Sequence, residues 1–199
     1  MSDRIITHAD ASDEELITQF QNGNESAFSL LVSRFKNPLM NYVYRYIGDR
    51  DEAEDIVQET FVKVYNNANA YKPIAKFSTW IYTVAGNLAR TAIRRKKIGQ
   101  VFSIFKLRRD EDGGSFDIPD MTYSAEKRVE ERFRSDAIQK ALGELEESHR
   151  EIIILSDIQE FSYEEICTIT GLKMGTVKSR LNRAHVRLRE LLNSVRNDL

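Results

Sequence analysis

The stretch SYEEICTITGLKMGTVKSRLNRAHVRLRELL, residues 162–192, decides the fold of the second half of the chain. Ser162 and Glu165 have the spacing of a capping box, which opens a short helix. A turn at Gly171 follows, and a longer basic helix comes after it. A short helix, a turn and a second helix are the pattern of a helix-turn-helix. The apolar residues of the second helix fall on one stripe, which leaves its opposite face for polar contacts.

That opposite face carries side chains that suit double-stranded DNA. Polar and basic groups facing away from the stripe can reach base edges in a major groove, and the flanking arginines can reach phosphates. A threonine near the start of the helix suits a phosphate held by backbone N–H groups. The alternative is a helical hairpin with a soluble basic face, and the capped first helix favours DNA binding. The predicted duplex contacts are Thr176, Lys178, Ser179, Arg180, Asn182, Arg183 and Arg187.

Charge is distributed unevenly along the 199 residues. The formal net charge is −2, yet residues 60–109 contain 11 basic residues and no acidic one. Residues 166–189 contain 6 basic residues and again no acidic one. Two basic blocks separated by acidic stretches indicate two contacts with a polyanion, and two solvated helix faces are the alternative.

The first basic block interleaves aromatic and cationic residues. Rings that stack on bases, beside cations that hold the backbone, are typical of proteins that bind single-stranded DNA. For any one of these rings the alternative is a place in the core of a helical bundle. The predicted strand contacts are Lys63, Tyr71, Lys76, Phe77, Trp80, Tyr82, Asn87, Arg90, Thr91 and Arg94.

Helical periodicity extends over nearly the whole chain, so the predicted fold class is all-α. We expect two small helical domains, residues 1–97 and 124–199, joined by a flexible linker at 98–123 that is too long for a loop within one domain. Pro38 is expected to break or kink the second helix. The fourth helix is expected over 77–97, capped by Ser78 or Thr79, and Ser148 with Glu151 has the spacing of a further capping box.

Several classes of function are disfavoured by composition. The single cysteine, Cys167, excludes an internal disulfide framework, and three scattered histidines lack metal-ligand spacing. The chain has no glycine-rich phosphate loop with its lysine. We therefore predict no catalytic residue, no metal and no cofactor. The polar N-terminus is unlike a secretory signal and no apolar run approaches a membrane span, so we expect a cytoplasmic location without membrane insertion.

Four short motifs, taken together, resemble one protein family. They are DIVQETF at 55–61, FSTWIY at 77–82, SYEEI at 162–166 and GTVKSR at 175–180. Their order and spacing are similar to those of bacterial RNA polymerase sigma factors of the extracytoplasmic-function (group IV) type. The resemblance covers residues 13–97 and 125–193. It implies that residues 1–97 are a region 2 helical bundle and residues 124–199 a region 4 helix-turn-helix domain.

The resemblance also implies partners and roles. The chain would bind core RNA polymerase through the β′ clamp helices and the β flap, and would initiate transcription at promoter DNA, often in a stress response. Region 4 would contact the −35 element as duplex, and region 2 would capture the −10 non-template strand. An anti-sigma factor is implied as a further partner. The acidic helix would dock on β′, where basic helices meet it, through Asp51, Glu54, Asp55, Gln58, Glu59 and Phe61.

Other interpretations remain open on the sequence. A stand-alone helix-turn-helix regulator would bind promoter DNA tightly without polymerase, and an adaptor protein would show no dependence on DNA. The acidic side chains of the linker either imitate RNA phosphates near the polymerase cleft or belong to a solvated tether. Those side chains are Asp110, Glu111, Asp112, Asp117 and Asp120.

Overall fold

The computed structural model describes the backbone of residues 11–103 and 125–197 and the side chains of residues 11–98 and 134–193. All helices and turns of these residues confirm the all-α prediction, and no strand occurs among them. The helices are α1 (Asp13–Gln21), α2 (Glu25–Ile47), α3 (Arg50–Asn66), α4 (Phe77–Ser103), α5 (Ala125–Glu144), α6 (Glu147–Ile153), α7 (Tyr163–Thr170) and α8 (Met174–Asn197). A 3₁₀ turn, Ala68–Ala70, follows α3, and α6 continues into a π-helical turn, Ile154–Ile158.

Helices α1 to α4 form an N-terminal bundle in which α2 packs against the other three. Ser12 and Glu15 form a complete capping box at the start of α1. The core of the bundle includes Tyr42 and Phe77, which are fully buried. Burial of such large rings is the main source of stability in a bundle of this size.

Helix α2 continues through Pro38, so the predicted break is wrong. A proline inside a helix removes one N–H donor and leaves a carbonyl one turn earlier without its partner. Pro38 is exposed, while Phe35 and Leu39 on either side are buried. Water can reach the freed carbonyl on this exposed face, and packing of the opposite face holds the helix together.

Helix α4 differs from the prediction at both ends. It begins at Phe77, whose N–H donates to Glu14 Oε1 at 2.9 Å, so the expected cap by Ser78 or Thr79 is wrong. It ends at Ser103, six residues beyond the expected Lys97. Lys96 is held by α3 at 3.2 Å from Asp49 and 2.7 Å from Glu52, which anchors the late turns. The rest of the expected linker, residues 104–123, lies outside the described residues.

Helices α5 to α8 form a C-terminal domain that contains the predicted helix-turn-helix, α7 and α8. The capping box of Ser162 and Glu165 is present, and Gly171 ends α7 in the left-handed conformation with φ 72°. That conformation strains any residue with a Cβ, which explains the glycine. The predicted apolar stripe of α8 packs inward: Val177, Leu181, Ala184 and Leu191 are buried, and Leu188 and Leu192 are partly buried against the core.

The expected capping box at the start of α6 does not form. The N-cap residue is Glu146, without a side-chain cap, and the Ser148 hydroxyl donates to the Glu146 carboxylate at 2.7 Å. Glu151 is only 5% exposed and binds groups of the N-terminal bundle. The Glu151 carboxylate, which local spacing predicted to cap α6, therefore binds residues that are distant in the sequence.

The two domains pack directly on each other and share one continuous core. Helix α7 lies against α4, and α2 contacts α5, α6 and the π-helical turn. The rings of Tyr82 and Phe161 meet edge to face with centroids 4.7 Å apart, and the Tyr82 hydroxyl donates to Gln159. Arg45 donates to the Ser135 carbonyl at 3.0 Å. We call this packing of the C-terminal domain on the bundle the closed arrangement.

Candidate nucleic-acid interface

The polar face of α8 points to solvent in the closed arrangement. Lys178, Ser179, Asn182, Arg183 and Val186 are all exposed, and we call this surface the recognition face. Neither Lys178 nor Arg183 forms an ion pair with a described side chain. A regular helix that presents cations and an amide on one exposed face is the kind of element that enters a DNA major groove.

The flanks of the recognition face are more constrained. Arg187 forms an ion pair with Glu190 one turn later at 3.0 Å, and both side chains are more than half exposed. Such an exposed pair is weak and can yield to a phosphate. Arg180 and Thr176 are half-buried, and Arg180 faces a cleft between the two domains.

A second surface is a groove of about 430 Å³ between the end of α3 and the first turns of α4. Trp80 is half-buried there, and its ring lies 5.3 Å from that of Tyr71 and 5.9 Å from that of Phe77. One face of an indole on rigid aromatic support is a stacking platform for a base. We call it the strand groove; its lining is Lys63, Asn67, Ala70, Trp80, Val84, Asn87, Leu88 and Thr91.

The fold brings four of the predicted strand contacts together in this groove: Lys63, Trp80, Asn87 and Thr91. Sequence reasoning missed Asn67, which lines the groove while its side-chain amide donates to the Lys63 carbonyl at 2.8 Å. The sequence carried a signal for the position of Asn67, because an asparagine directly after a helix can hydrogen-bond to a carbonyl of the last turn.

Three predicted contact rings lie in the interior. Tyr71, Phe77 and Tyr82 are between 0% and 5% exposed. The Tyr71 hydroxyl donates to the Ala75 carbonyl at 2.7 Å, which closes the loop before α4. Burial raises the pKa of Tyr82 well above its ordinary value, so its hydroxyl stays protonated as a donor. Tyr71 and Phe77 support the Trp80 ring of the strand groove, whereas Tyr82 packs against Tyr42 and Phe161.

Several cations of the first basic block meet carboxylates of the C-terminal domain. Arg90 is paired with Glu151, Lys76 lies 3.0 Å from Glu165, and Lys97 lies 2.8 Å from Glu147. Arg90 and the exposed Arg94 line an interdomain cleft of about 690 Å³, which Arg180 closes from the other side. Two of the cations predicted to bind a single strand, Lys76 and Arg90, are thus paired within the chain itself.

The acidic face of α3 is fully accessible. Asp51, Glu54, Asp55, Gln58 and Glu59 are exposed, and Phe61 is half-buried. Two apolar side chains that sequence reasoning missed continue this face: Val62 is 58% exposed and Tyr65 is 47% exposed. Large exposed apolar groups beside carboxylates are typical of a protein-binding surface. We call α3 the docking helix.

The described residues hold no group of histidine, cysteine and carboxylate side chains that could bind a metal ion. Among the described helices, none combines the length and the apolar character needed to cross a membrane.

Two sequence families match the two halves of the chain. Sigma-70 region 2 matches residues 31–98, and Sigma-70, region 4, matches residues 135–188. The ECF RNA polymerase sigma factor SigW of Bacillus subtilis is 33% identical over 187 residues, which cover 90% of this chain and 96% of the relative. The ECF RNA polymerase sigma-E factor of Escherichia coli is 31% identical over 177 residues, covering 87% and 90%.

Two solved structures resemble most of the chain. The sigma factor RpoE in complex with the anti-sigma factor NepR from Bartonella quintana has a TM-score of 0.67 at 26% identity, covering 83% of this chain and 96% of that one. CnrH in complex with the cytosolic domain of CnrY has a TM-score of 0.66 at 25% identity, covering 92% and 99%.

Proposed function

The chain belongs to the sigma-70 family as an alternative sigma factor of the extracytoplasmic-function type, and from this premise we propose how its surfaces direct initiation. Sigma factors of this type direct promoter-specific transcription. One observation carries the division of roles: the chain holds a recognition face and a strand groove on two separate domains. A protein with both can contact a promoter as duplex and as melted strand.

The recognition face contacts the −35 element as duplex. Lys178, Ser179, Asn182 and Arg183 are exposed on one side of α8 and reach base edges, while Thr176, Arg180 and Arg187 lie where phosphates run. Lys178 can contact a guanine but lacks the planar fork with which an arginine binds two acceptors at once. We expect Arg183 to carry the larger share of base discrimination.

The strand groove captures the −10 non-template strand after melting. Trp80 offers its ring for stacking, and Asn87 and Thr91 offer hydrogen bonds at the edge of the groove. Lys63 at one end and Arg90 and Arg94 along α4 hold the strand's phosphates. The loop that Tyr71 closes stands beside this groove, where an unpaired base could be held outside the stack.

The docking helix binds the β′ clamp helices of core polymerase, and the C-terminal domain binds the β flap. The carboxylates of α3 give the helix complementarity to basic helices, and Val62 and Tyr65 add apolar contact area. Polymerase supplies the catalysis, so this chain acts as an initiation factor without catalytic residues, metal or cofactor. Because bacterial transcription takes place in the cytoplasm, we place the protein there.

An anti-sigma factor is a further proposed partner. The RpoE and CnrH structures each contain a sigma factor with such a protein. Both resemble this chain over most of its length, with the two domains included. We propose that this chain likewise binds an anti-sigma factor.

Run-off transcription tests the proposal. Purified core polymerase is given a pool of genomic promoters with and without this protein, and we expect discrete transcripts that depend on it. The upstream sequences of those transcripts then define the two promoter elements. Duplex binding without polymerase and without transcripts would instead establish a stand-alone regulator, whose binding the exposed recognition face permits.

Matched variants assign the surfaces. Asp55→Lys reverses a charge in the middle of the docking helix and is expected to abolish the transcripts by preventing assembly with polymerase. Glu25→Lys makes the same change at an exposed position on α2 and is expected to leave transcription unchanged. Equal effects of both variants would contradict the assignment of α3.

A further inference from the structure

Glu151 is a buried carboxylate whose described partners all belong to the other domain. It lies on α6 in the C-terminal domain and is 5% exposed. The Tyr42 hydroxyl donates to its Oε1 at 3.1 Å, and the Arg90 guanidinium donates to the same atom. A buried charge is costly unless it is paired and hydrogen-bonded. The C-terminal domain alone supplies none of these described partners, so Glu151 is adapted to the closed arrangement.

The backbone of the bundle makes room for this contact. Gly86 lies on α4 beside it, and a Cβ at this position would lie 3.0 Å from the Tyr42 hydroxyl and 3.3 Å from Glu151 Oε1. Any larger residue would therefore push against the carboxylate. Burial raises the pKa of Glu151, while Arg90 and the Tyr42 hydroxyl act in the opposite direction by favouring its charged form.

Arg90 is also one of the cations that we propose to hold the phosphates of the −10 strand. It lines the cleft with Asn87, Thr91 and Arg94, and its second terminal nitrogen donates to Asn87 Oδ1 at 2.7 Å. A guanidinium binds carboxylate and phosphate oxygens with the same geometry. A glutamate that occupies Arg90 therefore fills the position of a phosphate.

In two other ion pairs, a carboxylate of the C-terminal domain also occupies a cation of the first basic block. Lys76, directly before α4, lies against Glu165 of α7, and Lys97, towards the other end of α4, lies against Glu147 of α6. Together with Arg90 these cations span most of α4 on the side that the C-terminal domain covers. The exposed pairs contribute little by themselves, so the buried Glu151 is the main contact.

We propose that Glu151 imitates a backbone phosphate of the promoter strand and holds the free protein closed, so that strand capture and the closed arrangement exclude each other. The inference rests on the proposed function, because it takes Arg90 to be a strand contact. It predicts that the free chain binds the −10 strand weakly, since its affinity is reduced by the fraction of open molecules. Polymerase would favour strand capture by holding the two domains apart.

The first test uses the full chain with Glu151→Arg, which places a cation against Arg90. Small-angle X-ray scattering should show a larger radius of gyration than that of the unaltered protein. Binding of the fluorescently labelled −10 non-template oligonucleotide, measured by anisotropy without polymerase, should tighten by about tenfold or more. Glu164→Arg is the matched control, since it makes the same charge change at an exposed position of the same domain.

A charge swap keeps the test decisive if Glu151→Arg unfolds the chain. The double variant Arg90→Glu with Glu151→Arg restores opposite charges and should restore the small radius of gyration, whatever its affinity for DNA. An unchanged radius for Glu151→Arg with intact helicity would overturn the proposal, as would equal tightening by Glu164→Arg. The scattering result does not depend on DNA, so failure of the proposed function would be seen separately in the transcription assay.

Discussion

Helices α4 and α8 are both basic and amphipathic, yet the folded chain surrounds them differently. On α4, Arg90 and Lys97 face carboxylates of the other domain, and Lys96 faces carboxylates of α3. On α8, Lys178 and Arg183 are exposed and form no ion pair with a described side chain. Similar composition has produced one surface that is occupied and one that is free.

The difference teaches that charge content identifies a nucleic-acid surface but not its availability. A duplex can reach the recognition face while the chain stays closed. On our proposal, a single strand must compete with Glu151 for Arg90 and with Glu165 for Lys76. The closed arrangement therefore permits a duplex contact before strand capture, an order that also suits a promoter that is bound first and melted later.

The largest effect is expected from removing the buried ring that supports the strand groove at the start of α4. Phe77 is fully buried and packs against Phe35, Tyr71 and Trp80. Phe77→Ala should lower the free energy of unfolding by about 3–5 kcal/mol, because it deletes a buried ring and leaves a cavity. Urea denaturation followed by circular dichroism measures the change.

The control for that variant lies in the loop directly before α4. Ile74 is 88% exposed, so Ile74→Ala should change the free energy of unfolding by less than about 0.5 kcal/mol. A loss for Phe77→Ala that is no larger than this would show that the ring does not support the groove.

Binding of duplex DNA tests whether the recognition face is accessible in the closed arrangement. Arg183→Ala should weaken binding of the −35 duplex by about 1–3 kcal/mol, with or without polymerase, because the side chain is available in the closed chain. Arg189→Ala removes the same charge from another side of α8 and should cost less. Equal losses in fluorescence anisotropy titrations would place both residues on phosphates only.

Local patterns in the sequence correctly predicted most of the helices and which side of α8 is buried. The capping box at Ser162 depends on groups within three residues, and the stripe of α8 depends on its own periodicity. Such features need no knowledge of the rest of the fold. The exposed polar side of α8 then follows directly from the buried apolar side.

The errors arose where a distant residue determined the outcome. Glu151 has the spacing of a cap partner but contacts Tyr42, which is 109 positions away. Phe77 receives its cap from Glu14, which is 63 positions away. Pro38 stays within a helix because packing outweighs its local preference. No single-sequence pattern shows which distant groups meet, so the closed arrangement itself could not be predicted.

A smaller effect is expected at the contact between Lys96 of α4 and Asp49, which both belong to the N-terminal bundle. The Asp49 carboxylate accepts the Glu52 N–H at 3.1 Å as the N-cap of α3 and lies 3.2 Å from Lys96. Asp49→Ala should lower the free energy of unfolding by about 1 kcal/mol, the usual effect of losing an N-cap. Thermal unfolding at neutral pH measures this loss.

The same residue predicts a pH dependence. The hydrogen bond from the Glu52 N–H, aided by Lys96, lowers the pKa of Asp49 below its ordinary value. A carboxyl whose pKa is lower in the folded state stabilises the fold above its unfolded pKa and loses that contribution as the pH falls through its folded pKa. The difference between Asp49→Ala and the unaltered protein should therefore shrink in acid. A difference that is constant down to pH 2 would assign the loss to packing alone.

The smallest expected effect is that of the pair between Lys76 and Glu165, whose nitrogen and oxygen are 3.0 Å apart. Lys76 is 72% exposed, so water screens the attraction, and a coupling of about 0.2–1 kcal/mol is expected. A double-mutant cycle with Lys76→Ala and Glu165→Gln isolates this coupling, because any change that Glu165→Gln makes in the Ser162 capping box occurs on both sides of the cycle and cancels. The coupling should fade in about 1 M salt, where the Debye length is roughly 3 Å. A coupling that persisted there would show that this pair contributes more to the closed arrangement than an exposed ion pair usually does.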